Sequence, residues 1–187
     1  MLDRAAIALL RPALTGAARG LARVGVRADQ VTLAGFAIGM VAAFAIAVQH
    51  PLLGLAGIAL SRLCDGLDGA LARLTEPTDR GAFIDISLDF VFYASIPLAF
   101  AVADPAANAL AAAALLAAFV GTTSTFLAFA VLAAQRGMAS TAFPAKGIYY
   151  LGGLTEATET LTCFALLCVL TTVTRLWAGW SAFSSPS

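Results

Sequence analysis

Four aspartates fall inside runs of residues that are otherwise apolar and long enough to cross a bilayer. This combination constrains the chain more than any other feature. Residues 31–49, 52–74, 82–103 and 107–134 each form a clear apolar span, and residues 147–180 run on for 34 residues with no charged loop. One span needs about 20 residues, and two spans with a turn need about 40. Five spans are therefore clear, and the break at Gly152-Gly153 leaves a sixth open. The chain has 187 residues, of which 60% are hydrophobic and 12% charged. Soluble domains carry about 25% charged residues, so lipid is the main solvent expected here. The fold class expected is all-α, a polytopic transmembrane helical bundle.

Residues 4–24 intersperse arginines with Ile7, Leu9, Leu10, Leu14, Leu21 and Val24. That pattern suits an amphipathic helix lying in the membrane interface, or a basic flank that sets topology. One domain over residues 1–187 is expected: 1–28 interfacial helix, 29–180 bundle, 181–187 tail. The first 30 residues hold five arginines and no long apolar core, which argues against a cleavable signal peptide. Net charge is zero, which gives no support to nucleic-acid binding. Cys64, Cys163 and Cys168 lie in apolar runs without metal-ligand spacing and are expected to act as fillers. His50 falls at a turn before Pro51 and has no partner in sequence.

Charge placement gives an orientation. Arg4, Arg11, Arg19, Arg23 and Arg27 precede the first span, Arg73 and Arg80 lie between the second and third, and Arg136 and Lys146 follow the fourth. The connections at 50–51 and 104–106 carry no Lys or Arg. Every basic loop then falls on one side, which the positive-inside rule makes cytoplasmic. Arg175 lies inside if there are six spans and outside if there are five. A cell (inner) membrane location is expected, with membrane lipids as surroundings.

Asp65 and Asp68 lie in the cytoplasmic half of the second span, Asp85 and Asp89 in that of the third. Spacings of three and four put each pair on one helical face. The two spans are antiparallel and joined by a short loop, so the pairs can face each other at similar depth. Each mid-helix carboxylate costs roughly 2.5–3.5 kcal/mol on insertion scales, and four together repel. Hard divalent cations such as Mg²⁺ or Mn²⁺ would neutralise them. Two ions would balance four aspartates and could clamp the attacking and leaving oxygens of a phosphoryl displacement. Salt bridging to Arg62, Arg73 and Arg80 without metal is the plainer alternative; arginines here also suit substrate phosphates. Gly66, Gly69, Ala70, Ala72 and Gly81 leave room for a bulky group, or serve close helix packing.

The run Asp65-Gly-Leu-Asp68-Gly69-Ala-Leu-Ala72-Arg73, followed by Gly81, Asp85 and Asp89, resembles the signature of the CDP-alcohol phosphatidyltransferase family. That signature reads D-x-x-D-G-x-x-A-R, a spacer, then G-x-x-x-D-x-x-x-D. The spacer here holds seven residues, where the family usually has eight or nine. The resemblance implies transfer of a phosphate-linked group from a CDP-alcohol, commonly CDP-diacylglycerol, to an alcohol hydroxyl with release of CMP. It implies two divalent ions on Asp65, Asp68, Asp85 and in part Asp89, with Asp89 also the general base. Gly66, Gly69, Ala72, Arg73 and Gly81 match donor or nucleotide positions. Thr32 resembles a family threonine near the nucleotide, although Ala28-Asp29 replaces the usual Pro-Asn; helix capping explains it equally. A homodimer is compatible with the resemblance.

Arg62, Arg80, Arg136, Lys146, Glu156 and Glu159 are candidates for the acceptor or its phosphate. Bundle capping and anionic head groups explain the last four as well. The aspartate motif belongs to the donor half of the reaction and says little about the acceptor; glycerol 3-phosphate is the first expectation. Two other classes share part of this pattern. A membrane prenyl-diphosphate transferase also uses aspartates with Mg²⁺, but its adjacent acidic pair is missing here. The other is a non-enzymatic metal-binding membrane protein, either structural or an ion carrier; a carrier would need charge through the bilayer, whereas the acidic cluster sits near one face.

Overall fold

The computed structural model describes residues 2–137 and 157–184, and all regular structure within them is helical. Six helices follow in order: α1 (Leu2–Arg23), α2 (Ala28–Ala47), α3 (Pro51–Leu74), α4 (Asp79–Ala103), α5 (Pro105–Gln135) and α6 (Ala157–Ser184). The boundaries follow local chemistry. Pro51 and Pro105 open α3 and α5, where the missing N–H forfeits no helical bond. The Asp104 carboxylate accepts from the Ala107 N–H at 3.1 Å, and the Thr78 hydroxyl accepts from the Gly81 N–H at 3.0 Å. The Thr78 cap starts α4 three residues earlier than the apolar run does. The α2–α3 turn passes through Gln49 at φ 69°, and its side-chain amide donates to the Ala103 carbonyl at 2.7 Å.

Small residues fix how α2 and α3 meet. A Cβ at Gly35 would fall 2.7 Å from Cys64 Cβ, one at Gly39 3.0 Å from Ser61 Oγ, and one at Gly57 2.7 Å from Ala42 Cβ. Gly54 meets Ile46 in the same way. As the α2 number rises from 35 to 46, its α3 partner falls from 64 to 54. The helices are therefore antiparallel and in contact along most of their length. On α4, Gly81 lies beside Asp29 and Phe92 beside Gly39, so α4 runs parallel to α2.

Helices α2, α4, α5 and α6 are long and apolar enough to cross a membrane. Helix α3 carries Arg62, Asp65, Asp68 and Arg73 and falls outside that composition, yet its 24 residues track α2 from end to end. The chain is an all-helical transmembrane bundle. Its core joins Ala42, Ala43 and Ile46 of α2, Ile58 of α3, Phe92, Ile96 and Phe100 of α4, and Phe164 and Cys168 of α6. Helix α5 packs on α4. Large apolar side chains point outward, among them Phe44, Leu110, Val120, Leu176 and Trp177. In water such a surface would be an aggregation liability; in lipid it is the ordinary exterior.

Helix α1 lies against the end of the bundle that carries the aspartates. Ala18 is fully buried with Val31, Ala70 and Leu71, and Leu14 and Leu21 pack around them. Helix α6 settles the parity of the crossings. Arg175 Nη1 donates to the Gln49 carbonyl at 3.2 Å, which places the late part of α6 at the α2–α3 turn, opposite the aspartates. Helix α5 starts at that same far end and runs back. Residues 135 and 157 therefore lie toward the aspartate end, and the described helices make five crossings. Residues 138–156, which include Gly152-Gly153, Lys146 and Glu156, lie outside the described residues.

Candidate active site

The α2–α3 register brings Asp65 level with Gly35, and the α2–α4 register brings Asp85 and Asp89 to the same stretch of α2. That stretch is one to two turns inside the helix start, about 6–12 Å at 1.5 Å per residue. One carboxylate oxygen from each of Asp65, Asp68 and Asp85 can be chosen so that all three lie within 4.8 Å of one another. Asp68 is only 5% exposed. Its Oδ2 is buried and has no hydrogen-bond partner among the described residues, and the Thr32 hydroxyl lies beside the carboxylate. The partly open cavity they share is lined also by Gly35, Phe36, Ser61, Arg62, Leu88 and Asp89, and its volume is about 10 Å³. That is room for one water-sized sphere.

Asp89 lines this cavity but is not one of the three converging groups. Its Oδ1 is 2.6 Å from Arg62 Nη1. The same nitrogen is 3.8 Å from Asp65 Oδ1. The guanidinium lies 4.1 Å from the centroid of the Phe92 ring and 5.6 Å from that of Tyr93, and Arg62 Nε is buried without a partner among the described residues. Tyr93 is in turn set edge-on to Phe92 and Phe119.

The three carboxylates fit a hard divalent cation. Two oxygens on one Mg²⁺, each at about 2.0–2.1 Å, can be at most about 4.2 Å apart, and on Ca²⁺ about 5 Å. A separation within 4.8 Å thus needs little closure. The orphaned Asp68 Oδ2 supplies a lone pair with nothing else to satisfy it, an expensive arrangement in a buried place.

The other sequence candidates are spread around this centre. Gly66 faces α1, where a Cβ would stand 3.0 Å from Leu14 Cδ1. Gly69 lies under the Arg73 guanidinium, Ala72 is half-buried and Arg73 exposed at the end of α3. Gly81 abuts Asp29, whose carboxylate is 3.9 Å from the largely exposed Arg80; exposed pairs of this kind contribute little. Arg136 is exposed just beyond α5. Glu159 is in the first turn of α6, its side chain outside the description, as are Lys146 and Glu156 altogether. Residues the sequence did not single out also matter. Ser61 is fully buried and its hydroxyl donates to the Gly35 carbonyl at 2.8 Å. Its spacing of four before Asp65 was a usable signal; Gly35 and Phe36 gave none without the helix register.

Fold and site together define a class: a membrane-embedded helical protein with a converging carboxylate cluster near one end of the bundle. The profile of the CDP-alcohol phosphatidyltransferase family matches residues 26–184, and the chain belongs to that family. It is a phosphotransferase of phospholipid biosynthesis, which sets the prenyl-transferase and carrier alternatives aside. It is 46% identical to the Escherichia coli inner membrane protein YnjF, over 99% of this chain and 98% of that one. It is 36% identical over 77 residues to the archaetidylinositol phosphate synthase of Pyrococcus horikoshii, 41% of each chain. In fold it is similar to a phosphatidylinositol phosphate synthase of Mycobacterium tuberculosis solved with CDP-DAG bound. That match has a TM-score of 0.55 and 23% identity, over 93% of this chain and 95% of that one.

Proposed function

We propose that this chain transfers a phosphatidyl group from CDP-diacylglycerol to a hydroxyl of a small phosphorylated alcohol and releases CMP. The convergence of Asp65, Asp68 and Asp85, with the Asp68 oxygen left unpartnered, carries this reading. A divalent ion, Mg²⁺ or Mn²⁺, fits those three carboxylates. When bound, it offsets the charge of the donor diphosphate and of the departing phosphate. The acceptor oxygen bonds to the phosphatidyl phosphorus as the bond from phosphorus to the CMP oxygen breaks. Asp89 takes the acceptor's proton, a role that needs a carboxylate within about 3 Å of the hydroxyl. Arg62 holds Asp89 at 2.6 Å and so fixes where that base stands. Thr32, Gly69, Ala72, Arg73 and Gly81 lie on the end of the bundle from which the nucleotide would enter, and the basic loops suit a cytoplasmic face for that end.

Glycerol 3-phosphate and an inositol phosphate share the chemistry this acceptor needs, a hydroxyl beside a phosphate dianion. The names of the archaeal relatives and of the fold neighbour favour inositol phosphate. Arg80 and Arg136 are exposed on the same end of the bundle and suit such an anion; Lys146, Glu156 and Glu159 remain sequence-based candidates for it. The test is CMP release by purified protein in detergent with CDP-diacylglycerol and Mg²⁺ or Mn²⁺. Release should require both metal and acceptor and should single out one acceptor from glycerol 3-phosphate, inositol phosphate, inositol and serine. Metal-independent release, or none with any of the four, would sink the proposal.

A further inference from the structure

Helix α1 takes no part in the chemistry proposed above, yet it rests on the helix that carries Asp65 and Asp68. At about 100° per residue, its side chains divide into three stripes. Leu14, Ala18 and Leu21 share the stripe that packs on Val31 of α2 and Ala70 and Leu71 of α3. Leu10, Ala13 and Ala17 form a second stripe, apolar and exposed. Arg11, Arg19 and Arg23 lie on the other side of the packed stripe and are exposed too. None of these arginines pairs with a carboxylate among the described residues, and residues 4–28 contain no Asp or Glu. An apolar stripe set against a basic one suits a helix lying in the lipid interface, with its cations level with the head groups. Cations without any intervening acid select a surface of anionic head groups.

We propose that Arg11, Arg19 and Arg23 bind anionic phospholipid head groups, and that this contact keeps α1 seated on α3, so that acidic lipid raises turnover. The seat adjoins the site. A Cβ on Gly66, the residue after Asp65, would stand 3.0 Å from Leu14 Cδ1, and Ala70, two residues after Asp68, is buried with Ala18. That seat is made of a few small or aliphatic side chains, so α1 depends on the membrane for the rest of its hold. Each arginine near an anionic surface strengthens binding about fivefold, and three together about a hundredfold at low salt. Salt screens this attraction. On a neutral surface only the apolar stripes hold α1, Leu14 leaves Gly66 more often, and the face of α3 next to the carboxylates loses its neighbour. The effect on turnover rests on the transferase reading above, whose product is itself an acidic phospholipid; the contact with lipid does not.

The experiment places the full chain in nanodiscs of phosphatidylcholine alone or with phosphatidylglycerol added. Hydrogen exchange of the α1 amides reads the contact, and CMP release reads turnover. In the wild type, phosphatidylglycerol should slow α1 exchange at least tenfold and raise CMP release several-fold, and high salt should reverse both. A variant carrying Arg11→Gln, Arg19→Gln and Arg23→Gln should match the wild type in phosphatidylcholine and show neither response. Equal α1 exchange in the two lipids, or a response kept by the triple variant, would overturn the proposal. Slower exchange without faster CMP release would overturn the coupling to the site. No CMP release in either lipid would remove the transferase reading and leave the exchange result to decide the lipid contact. If the triple variant does not fold, the salt reversal in the wild type decides between a charge-driven contact and an apolar one.

Discussion

Replacing Asp68 by Asn should stabilise the metal-free protein while removing its response to metal. Asp68 is buried, its Oδ2 has no partner, and its carboxylate is within 4.8 Å of oxygens from Asp65 and Asp85. Two unit charges at that separation repel by about 3–4 kcal/mol at an effective dielectric constant of 20. Solvent screening and relaxation reduce this, since Asp65 is 38% exposed; a net relief of about 1–2 kcal/mol is a reasonable expectation. Without metal that relief has nothing to oppose it, because no bond to Oδ2 is lost. With metal the sign reverses. A ligand at 100 times its Kd stabilises a protein by about 2.7 kcal/mol, and the variant forfeits that gain with its third carboxylate. Thermal unfolding of wild type and Asp68→Asn in detergent, with EDTA and with saturating Mn²⁺, separates the two effects. The variant should melt higher than wild type in EDTA and show little rise with Mn²⁺. A variant that melts lower in EDTA and still responds to Mn²⁺ would refute the metal assignment of Asp68.

Other perturbations separate the chemistry from the scaffold. Asp89→Asn should lower kcat by about 10²–10⁴, the usual worth of a general base, while the Mn²⁺-induced rise in melting temperature persists. Gly39→Ala would place a Cβ 2.6 Å from the Phe92 ring and 3.0 Å from Ser61 Oγ. Overpacking of this kind costs about 1–3 kcal/mol, and because Phe92 carries Arg62 the variant should lose activity along with stability. Arg175→Gln removes only an exposed bond to the Gln49 carbonyl at the far end. It should change stability by less than about 1 kcal/mol and leave CMP release unchanged. Cysteines placed at Gln49 and Arg136, in a background without native cysteines, should react with an impermeant reagent from opposite faces of inverted and right-side-out vesicles. Labelling from one face would contradict five crossings.

Much of this arrangement is legible in the sequence because it depends on local spacing. The i, i+3 and i, i+4 separations of the aspartates fix one face on each helix, and Pro51 and Pro105 mark helix starts wherever the chain packs. What required coordinates is lateral register. Arg62 precedes Asp65 by three residues, which spacing alone shows; its bond to Asp89 depends on how α3 slides against α4. Gly66 matches a donor-site position in the motif, yet it faces Leu14 because α1 packs on that side of α3. The ambiguity between five and six spans was one of hydropathy, and a single long-range bond, Arg175 to Gln49, decides the direction of α6. Helix α3 shows the converse limit. Its charges lower its hydropathy at the place where function requires them, so its crossing follows from pairing with α2 and not from composition.

Crystals of the protein grown with Mn²⁺ and measured at the manganese absorption edge would locate any bound ion directly. Anomalous density within bonding distance of Asp65, Asp68 and Asp85 is the result expected. A peak elsewhere, or an empty carboxylate cluster in protein that releases CMP in a metal-dependent way, would contradict it.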